Sequence, residues 1–592
     1  MIIGLLITAA LAAVYCFSGR LLCGRLALPG ALDRLVVFTA AGMGFVSLLY
    51  FVCCALGVSF FVGLGLAVIA ALFGIVKYGF PKRLPKIPLG FIFLGLYFLA
   101  VLLAALVPVT MADWDSLAYH LSVPKLFLAH GGFYCIPFMS HSNFPMGAEM
   151  LSLPGLAAGT VLGAKLHGFI FFVLAVFAVG ITARRFFGNG AFTVGLLAAC
   201  SIPIFAWEAT TAYIDTAASL YTVLALYFVL AYTQRGKRSD AVMCGVMCGL
   251  AAGCKYTGLL VPLLMFVWIL AAGKENRFKD GFLCALAAFV VCGGWYIKSL
   301  ILTGNPVYPF FYGLFGGRGW TADLAANYSA LQAKFGVGHG LLYFFRLPYD
   351  LTVNSAAFYD RPGFYVGPIM LIAVLTLFLG KYRDKNFTGT AVFFLVNLIA
   401  WYALTQQSRY LLPALCAGAV IIGAAVAGSS TKLPKFVCLT VFAATAAFSL
   451  LTLSGLMTVG FELLTGKMPE TDYLMENIDR YSADRYINNA LPKGSKTALC
   501  GDTRGFFIDR DYVWADPGHN RVFDEKITSL ARLKELWKRE GVTHLSINFN
   551  FYPKAEDAKG MAKYVYEAAK KGVIVEEYPP VNGVGVYKII YD

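Results

Sequence analysis

The chain has 592 residues, of which 59% are hydrophobic and only 14% charged. Soluble domains carry roughly 25% charge, so this composition excludes an ordinary globular enzyme and indicates a chain folded mostly in lipid. The net charge of +15 does not mark a nucleic-acid binder, because the basic residues form no groove-like cluster and sit in short loops between apolar stretches.

In chain order the apolar stretches are 2–18, 35–56, 59–77, 89–109, 161–182, 191–208, 214–232, 240–254, 257–273, 281–301, 365–380, 388–404, 411–428 and 436–458. At near ~20 residues per crossing they predict about fourteen transmembrane helices. Every second connection is basic. Arg20, Arg25 and Arg34 follow the first span, Lys77, Lys82, Arg83 and Lys86 the third, Arg184 and Arg185 the fifth, and Arg235, Lys237 and Arg238 the seventh. Lys274, Arg277 and Lys279 follow the ninth, Lys381, Arg383 and Lys385 the eleventh, and Lys432 and Lys435 the thirteenth. The positive-inside rule puts these loops in the cytoplasm and both termini outside. No positive segment precedes the first span, which therefore reads as a retained helix rather than a cleaved signal.

Three long segments then lie outside the cytoplasm: 110–160, 302–364 and 459–592. The first contains Met111-Ala-Asp-Trp-Asp-Ser-Leu-Ala-Tyr-His120 directly after a span. Two carboxylates at the lip of a span are expensive to hold near hydrocarbon, so Asp113 and Asp115 read as functional. Ser116–His130 reads as an amphipathic helix on the membrane, with Leu117, Leu121, Leu126 and Leu128 near one face. The second segment opens on Thr303-Gly-Asn-Pro-Val-Tyr-Pro309, a rigid turn at a span exit. Its Tyr312, Trp320, Tyr328, Tyr343, Tyr349 and Tyr359 read as an interfacial aromatic belt.

After about residue 465 the spans stop and charge rises. Strands are expected at Thr497–Cys500, Val513, Leu545–Phe549, Val573–Val575 and Val584–Ile590, with helices at Ile527–Arg539 and Ala555–Lys571. The predicted division is a membrane domain, 1–465, and a small extracytoplasmic α/β domain, 466–592, large enough for its own core. Gly501-Asp-Thr-Arg-Gly505 reads there as a plain strand-to-loop turn.

All seven histidines fall on the outer side in this topology, and His120 follows the acid pair by one to two helical turns. Glu208 and Asp215 bracket one outer connection; Lys255, Lys298, Arg409 and Tyr410 sit at the ends of other spans. Snorkelling accounts for any single cation at an interface. Together these residues put carboxylates and cations at one membrane level, as a lipid-phosphate substrate requires.

The order of Asp-x-Asp after an early span, Ser142-Asn-Phe-Pro-Met-Gly-Ala-Glu149, Ala212-Tyr-Ile-Asp215, Gly249-Leu-Ala-Ala-Gly-Cys-Lys255, Trp295-Tyr-Ile-Lys-Ser299, Gly304-Asn-Pro-Val-Tyr-Pro309 and Arg409-Tyr-x-x-Pro413 resembles bacterial membrane glycosyltransferases of the C-type fold, the aminoarabinose-transferase-like and protein-mannosyltransferase-like proteins. The resemblance runs through residues 90–420. It implies a polyprenyl-phosphate sugar donor, an envelope glycan, lipid or protein as acceptor, an active site outside the inner membrane, and an acid of the first large loop as catalytic centre. On that reading Asp113, with Asp115 second, accepts the acceptor's proton, while Lys255, Arg409 and Lys298 hold the donor phosphate. His120, Glu149, Asp215 and Tyr410 orient the acceptor. The acid pair leaves room for a divalent ion, Mg²⁺ or Mn²⁺. Three spans ahead of the acid loop's span, and the tail, depart from the simplest family layout. The rival readings are an oligosaccharide ligase or polymerase with a lipid-diphosphate donor, a lipid-linked-substrate transporter, and a non-catalytic scaffold. A transporter would carry its ionisable groups at mid-bilayer and show pseudo-symmetric halves.

Overall fold

The computed structural model describes residues 1–80, 92–359, 365–379, 384–515, 522–523 and 526–591. Lys82, Arg83, Lys86, Lys381, Arg383 and His519, and the start of the expected span 89–109, lie outside the described residues.

Among the described residues, nine helices are long and apolar enough to cross a membrane: Ile2–Cys23, Ala31–Ala55, Phe60–Tyr78, Val161–Phe187, Asp215–Arg235, Arg277–Thr303, Lys385–Leu404, Ser408–Ala427 and Leu433–Thr452. Ile92–Ala105, Asn189–Cys200 and Tyr256–Ala271 are apolar but shorter. The chain is a multi-pass helical membrane protein. Each expected stretch falls on helix, but not every one is a single rod. The stretch 191–208 is broken after Cys200 and resumes at Pro203, where the ring has no amide hydrogen to continue the ladder.

Asp215–Arg235 is the centre of the bundle, buried along nearly its whole length. His167–Phe187, Arg238–Cys254 and Leu412–Ala427 pack around it. Peripheral helices present Phe73, Phe289 and Leu451 outward, as lipid-facing surfaces do. Ile2–Cys23 and Ala31–Ala55 cross backbone to backbone. A Cβ at Gly19 would stand 1.8 Å from the Phe38 carbonyl oxygen, and one at Gly42 1.8 Å from that of Tyr15, so only glycine permits this approach.

Asp33, at the start of the second helix, takes Arg184 at 2.6 Å and the Tyr227 hydroxyl at 3.0 Å. Asp240 takes Arg235, and Asp280 takes Arg238 at 3.1 Å. These buried carboxylates hold the arginines of two basic loops, those after the fifth and seventh expected spans, at the bundle end away from residues 110–160.

The tail carries a five-stranded sheet: β1 Lys496–Cys500, β2 Asp511–Trp514, β3 His544–Asn548, β4 Ile574–Val581 and β5 Val584–Ile589. Its order is β2-β1-β3-β5-β4, parallel through β2-β1-β3 and antiparallel through β3-β5-β4. Asn582 and Gly583 both take positive φ between β4 and β5, as a primed two-residue hairpin turn requires. Helices Leu530–Arg539 and Gly560–Lys570 complete a separate apolar core around Leu533, Leu536, Trp537, Leu545 and Val565.

Two sequence expectations change. Residues 116–130 do not lie on the membrane as one surface helix. They form a single π turn, Ser116–His120, closed by Leu121 N–H donating to the Ser116 carbonyl at 3.0 Å, then helix Ser122–His130. Leu117 and Leu121 are buried against Val107, Tyr473, Leu474 and Phe506, so the tail covers the face expected to meet lipid. The aromatic belt is also divided: Tyr343 and Tyr349 are exposed, whereas Trp320 and Tyr359 are buried.

Candidate functional site

The acid loop starts where Pro108 ends the preceding helix. Asp113 turns back, its Oδ1 accepting the Thr110 N–H at 2.8 Å, and only 1% of the residue is exposed. Burial pushes its carboxyl up to about 7, against the pull of the nearby Lys165 ammonium. Lys165 is itself buried and donates to the Thr210 carbonyl at 2.6 Å and to the Val107 carbonyl. It ties the acid loop to the connection before Asp215. Sequence reasoning passed over Lys165, because one lysine near a span start looks like any snorkelling cation.

Asp115 faces the other way. Its side chain is 26% exposed, and its Oδ2 accepts from Arg409 Nη2 at 2.6 Å and from the Tyr119 hydroxyl at 3.1 Å. Burial alone would raise this carboxyl, but the Arg409 guanidinium outweighs it and holds the group at about 2. Arg409 stands in the turn Ser408–Leu411, with Pro413 starting the next helix. It lies over the rings of Tyr213 and Tyr410, at 4.6 and 5.1 Å.

Tyr410 joins this arginine to the next cation. Lys255 Nζ stands 3.4 Å from the Tyr410 ring centroid and donates to Asp215 Oδ1 at 2.8 Å. Lys255 is where helix Arg238–Cys254 stops and the backbone becomes extended. Two motifs distant in sequence meet just before it. Gly147 N–H donates to the Gly253 carbonyl at 2.8 Å, and a Cβ on Gly147 would meet that oxygen at 2.9 Å. This junction sets Glu149 behind the acid loop, where His120 Nδ1 and Glu149 Oε1 are 2.9 Å apart. Burial pushes the Glu149 carboxyl up to about 8 and the His120 imidazole well below its ordinary range. Burial thus disfavours the charged form of both partners of this hydrogen bond.

Glu208 lies close by. It is fully buried, and among the described residues neither of its carboxylate oxygens, nor Asp215 Oδ2, nor Glu149 Oε2, has a hydrogen-bond partner. Buried polar groups are normally hydrogen-bonded, so three such acids near one another single this region out.

Lys298 lies within electrostatic reach of Glu149, but its ammonium is engaged elsewhere. Its ammonium donates to the Ser142 and Phe144 carbonyls at 2.8 and 3.3 Å and is enclosed by the rings of Phe127, Phe133 and Trp295. It holds the 142–144 segment in place rather than facing the acid pair. Asp113 and Asp115 do not fit a shared divalent ion, since one carboxylate is held by Thr110 and the other by Arg409 and Tyr119. No group of three His, Cys, Asp or Glu side chains able to hold a metal occurs among the described residues. The turn Gly501–Gly505, expected to be plain, docks on the acid loop: Trp114 Nε1–H donates to Thr503 Oγ1 at 2.8 Å.

Two solved structures share this architecture across almost their whole length. The aminoarabinose transferase ArnT from Cupriavidus metallidurans bound to undecaprenyl phosphate superposes with a TM-score of 0.55 at 13% identity, covering 85% of this chain and 99% of that one. The apo form of the same protein gives 0.54 at 14% identity, over 84% and 98%. The chain has the C-type glycosyltransferase fold. Residues 162–416 match a family described as a domain of unknown function, DUF8201. That match includes Lys165, Glu208, Asp215, Lys255 and Arg409 and stops short of the acid loop and the tail. No curated protein matches the chain in sequence.

Proposed function

We propose that the protein is a membrane glycosyltransferase that moves a sugar from a polyprenyl-phosphate donor to an acceptor on the face of the membrane that carries the tail. The observation that carries this reading is Asp115 at 2.6 Å from Arg409, beside Lys255 on the shared Tyr410 ring. A carboxylate and two cations face one another there at the lip of a bundle. The fold of a transferase solved with undecaprenyl phosphate supports the same donor class. By the positive-inside rule that face is extracytoplasmic, at the plasma membrane of a bacterium. Residues 1–465 form the transferase body and 466–592 its outer domain.

Asp115, rather than Asp113, is the reacting carboxylate in this reading. Asp113 is shut behind the loop on Thr110, while Asp115 is open to the cleft. Arg409 and Lys255 take the donor phosphate, and Arg409's change of partner frees Asp115 and raises its proton affinity. The acceptor hydroxyl then attacks the anomeric carbon in line, and its proton passes to Asp115. The bond from that carbon to the phosphate oxygen breaks. The two cations stabilise the charge growing on the leaving polyprenyl phosphate. Asp215 holds Lys255 in place, and His120 and Glu149 support the acid loop from behind and orient the acceptor. No step requires a metal ion.

The test is donor profiling with purified protein in lipid nanodiscs, supplied with membrane extract as acceptor. The proposal expects a synthetic polyprenyl-monophosphate sugar to be consumed, with polyprenyl phosphate appearing by mass spectrometry. Turnover of the diphosphate-linked donor alone would assign the protein to the oligosaccharide ligases instead.

A further inference from the structure

Trp114 is the residue between the two acids, and the tail holds it from three sides. The Arg504 guanidinium lies 4.1 Å from its ring centroid. Phe551 meets the same ring edge-on at 5.0 Å, with an interplanar angle of 88°. Thr503 Oγ1 accepts its indole N–H at 2.8 Å, and Arg504 Nη1 also reaches Met111 Sδ at 3.0 Å. Trp114 and Met111 thus bracket the segment that contains Asp113, and both end on one tail turn.

That turn is rigidly mounted. Arg504 is held by Asp502 at 2.7 and 3.0 Å and by Asp479 at 2.8 Å. The Asn548 amide donates to Asp502 and Asp479 at 2.8 and 2.9 Å. Gly501 takes a positive φ, and a Cβ there would stand 2.9 Å from the Asn548 carbonyl oxygen. On the bundle side the fit continues: the Tyr473 hydroxyl donates to the Val109 carbonyl at 3.0 Å, and Lys125 donates to the carbonyls of Phe506 and Ile508 at 2.7 and 3.0 Å. A turn that served only to connect strand to loop would need neither the buried arginine nor its saturated mount.

We propose that Thr503 and Arg504 are positioning residues of the transferase site. They grip Trp114, and through its backbone they set where the Asp113 and Asp115 carboxylates stand. The consequence for turnover rests on the transferase reading, but the mechanical coupling does not. A misplacement near 1 Å at a reacting group lowers turnover by about 100-fold, so losing one hydrogen bond of this mount has a smaller, measurable effect.

Thr503→Val deletes the hydrogen bond alone, and Trp114→Phe deletes it while also shrinking the ring against Arg504 and Phe551; neither touches the carboxylates that hold Arg504. In full-length protein in nanodiscs, each is expected to lower kcat about tenfold, about 1.4 kcal/mol, with KM for the lipid donor unchanged. The double variant should be no slower than Trp114→Phe alone, because the shared hydrogen bond is lost once. Thr503→Ser should restore activity. Amide hydrogen exchange over residues 111–121 should rise in both singles while β1 and β3 stay protected. An unchanged kcat in both variants overturns the proposal, as do losses that multiply or unchanged exchange at 111–121. If the wild-type protein transfers no sugar, the transferase reading fails separately, and the exchange measurement alone decides whether the tail holds the loop.

Discussion

Two arginine–carboxylate clusters occur in this molecule, one in the tail and one in the bundle, and they are built to opposite rules. In the tail, Arg480 binds Asp484 through Nε and Nη2 at 2.7–3.0 Å, and both side chains are essentially inaccessible, at 1% and 0%. Arg504 is likewise enclosed by Asp502 and Asp479. At the membrane lip, Arg409 makes one short contact to a carboxylate that is a quarter exposed. Among the described residues, Glu208, Asp215 and Glu149 keep oxygens with no partner. A closed cluster has no capacity left for a ligand, and breaking it leaves a buried charge alone. The open cluster has capacity to spare. The difference sets a cluster closed on itself against one that leaves room for a ligand.

The largest effect should come from the open cluster. Asp115→Asn keeps the shape but removes the proton acceptor and Arg409's counter-charge, and transfer should fall by about 10²–10⁴-fold. Asp113→Asn should lose less, because that side chain is shut behind the loop. Equal losses in the two variants, measured by labelled-sugar transfer, would erase the assignment of separate roles. In the closed cluster, Asp484→Asn should lower stability by about 3 kcal/mol and leave KM for the donor unchanged. A thermal shift with an unaltered transition would show that the tail network is not structural.

The smallest effect is on pH dependence. Glu149, raised in the fold to about 8 from 4.5, stays protonated over a range where the unfolded chain has released its proton. Stability therefore falls as pH rises from roughly 4.5 to 8. Asp113, raised from 3.8 to about 7, adds a slope of the same sign that ends earlier. Glu149→Gln should flatten the fall in Tm between pH 7 and 8 and leave the slope below pH 7 partly in place. Identical profiles for variant and wild type would mean that Glu149 ionises normally.

Much was readable before any coordinates. Hydropathy located the apolar stretches because each helix must satisfy its backbone within itself when it lies in lipid. The tail's strands followed from residue pattern, a local signal, although the Asn582-Gly583 turn that joins β4 to β5 went unnoticed. Asp115, Arg409, Lys255 and Asp215 stood out because ionisable residues at span ends are rare enough to notice one by one.

Their partnerships were not readable. Asp115 and Arg409 lie 294 residues apart and meet only through the packing of helices that share no sequence signal. Lys298 resembled Lys255 in the chain, yet three aromatic rings and two carbonyls take it out of the site. Lys165 was overlooked for the same reason in reverse. Sequence by itself determined which segments enter the membrane and which residue types gather at its lip, since burial in lipid is decided segment by segment. Only the tertiary structure decided that Asp113 is buried while Asp115 stays partly exposed on Arg409, and that a tail turn grips Trp114, because those outcomes depend on where side chains distant in sequence come to rest.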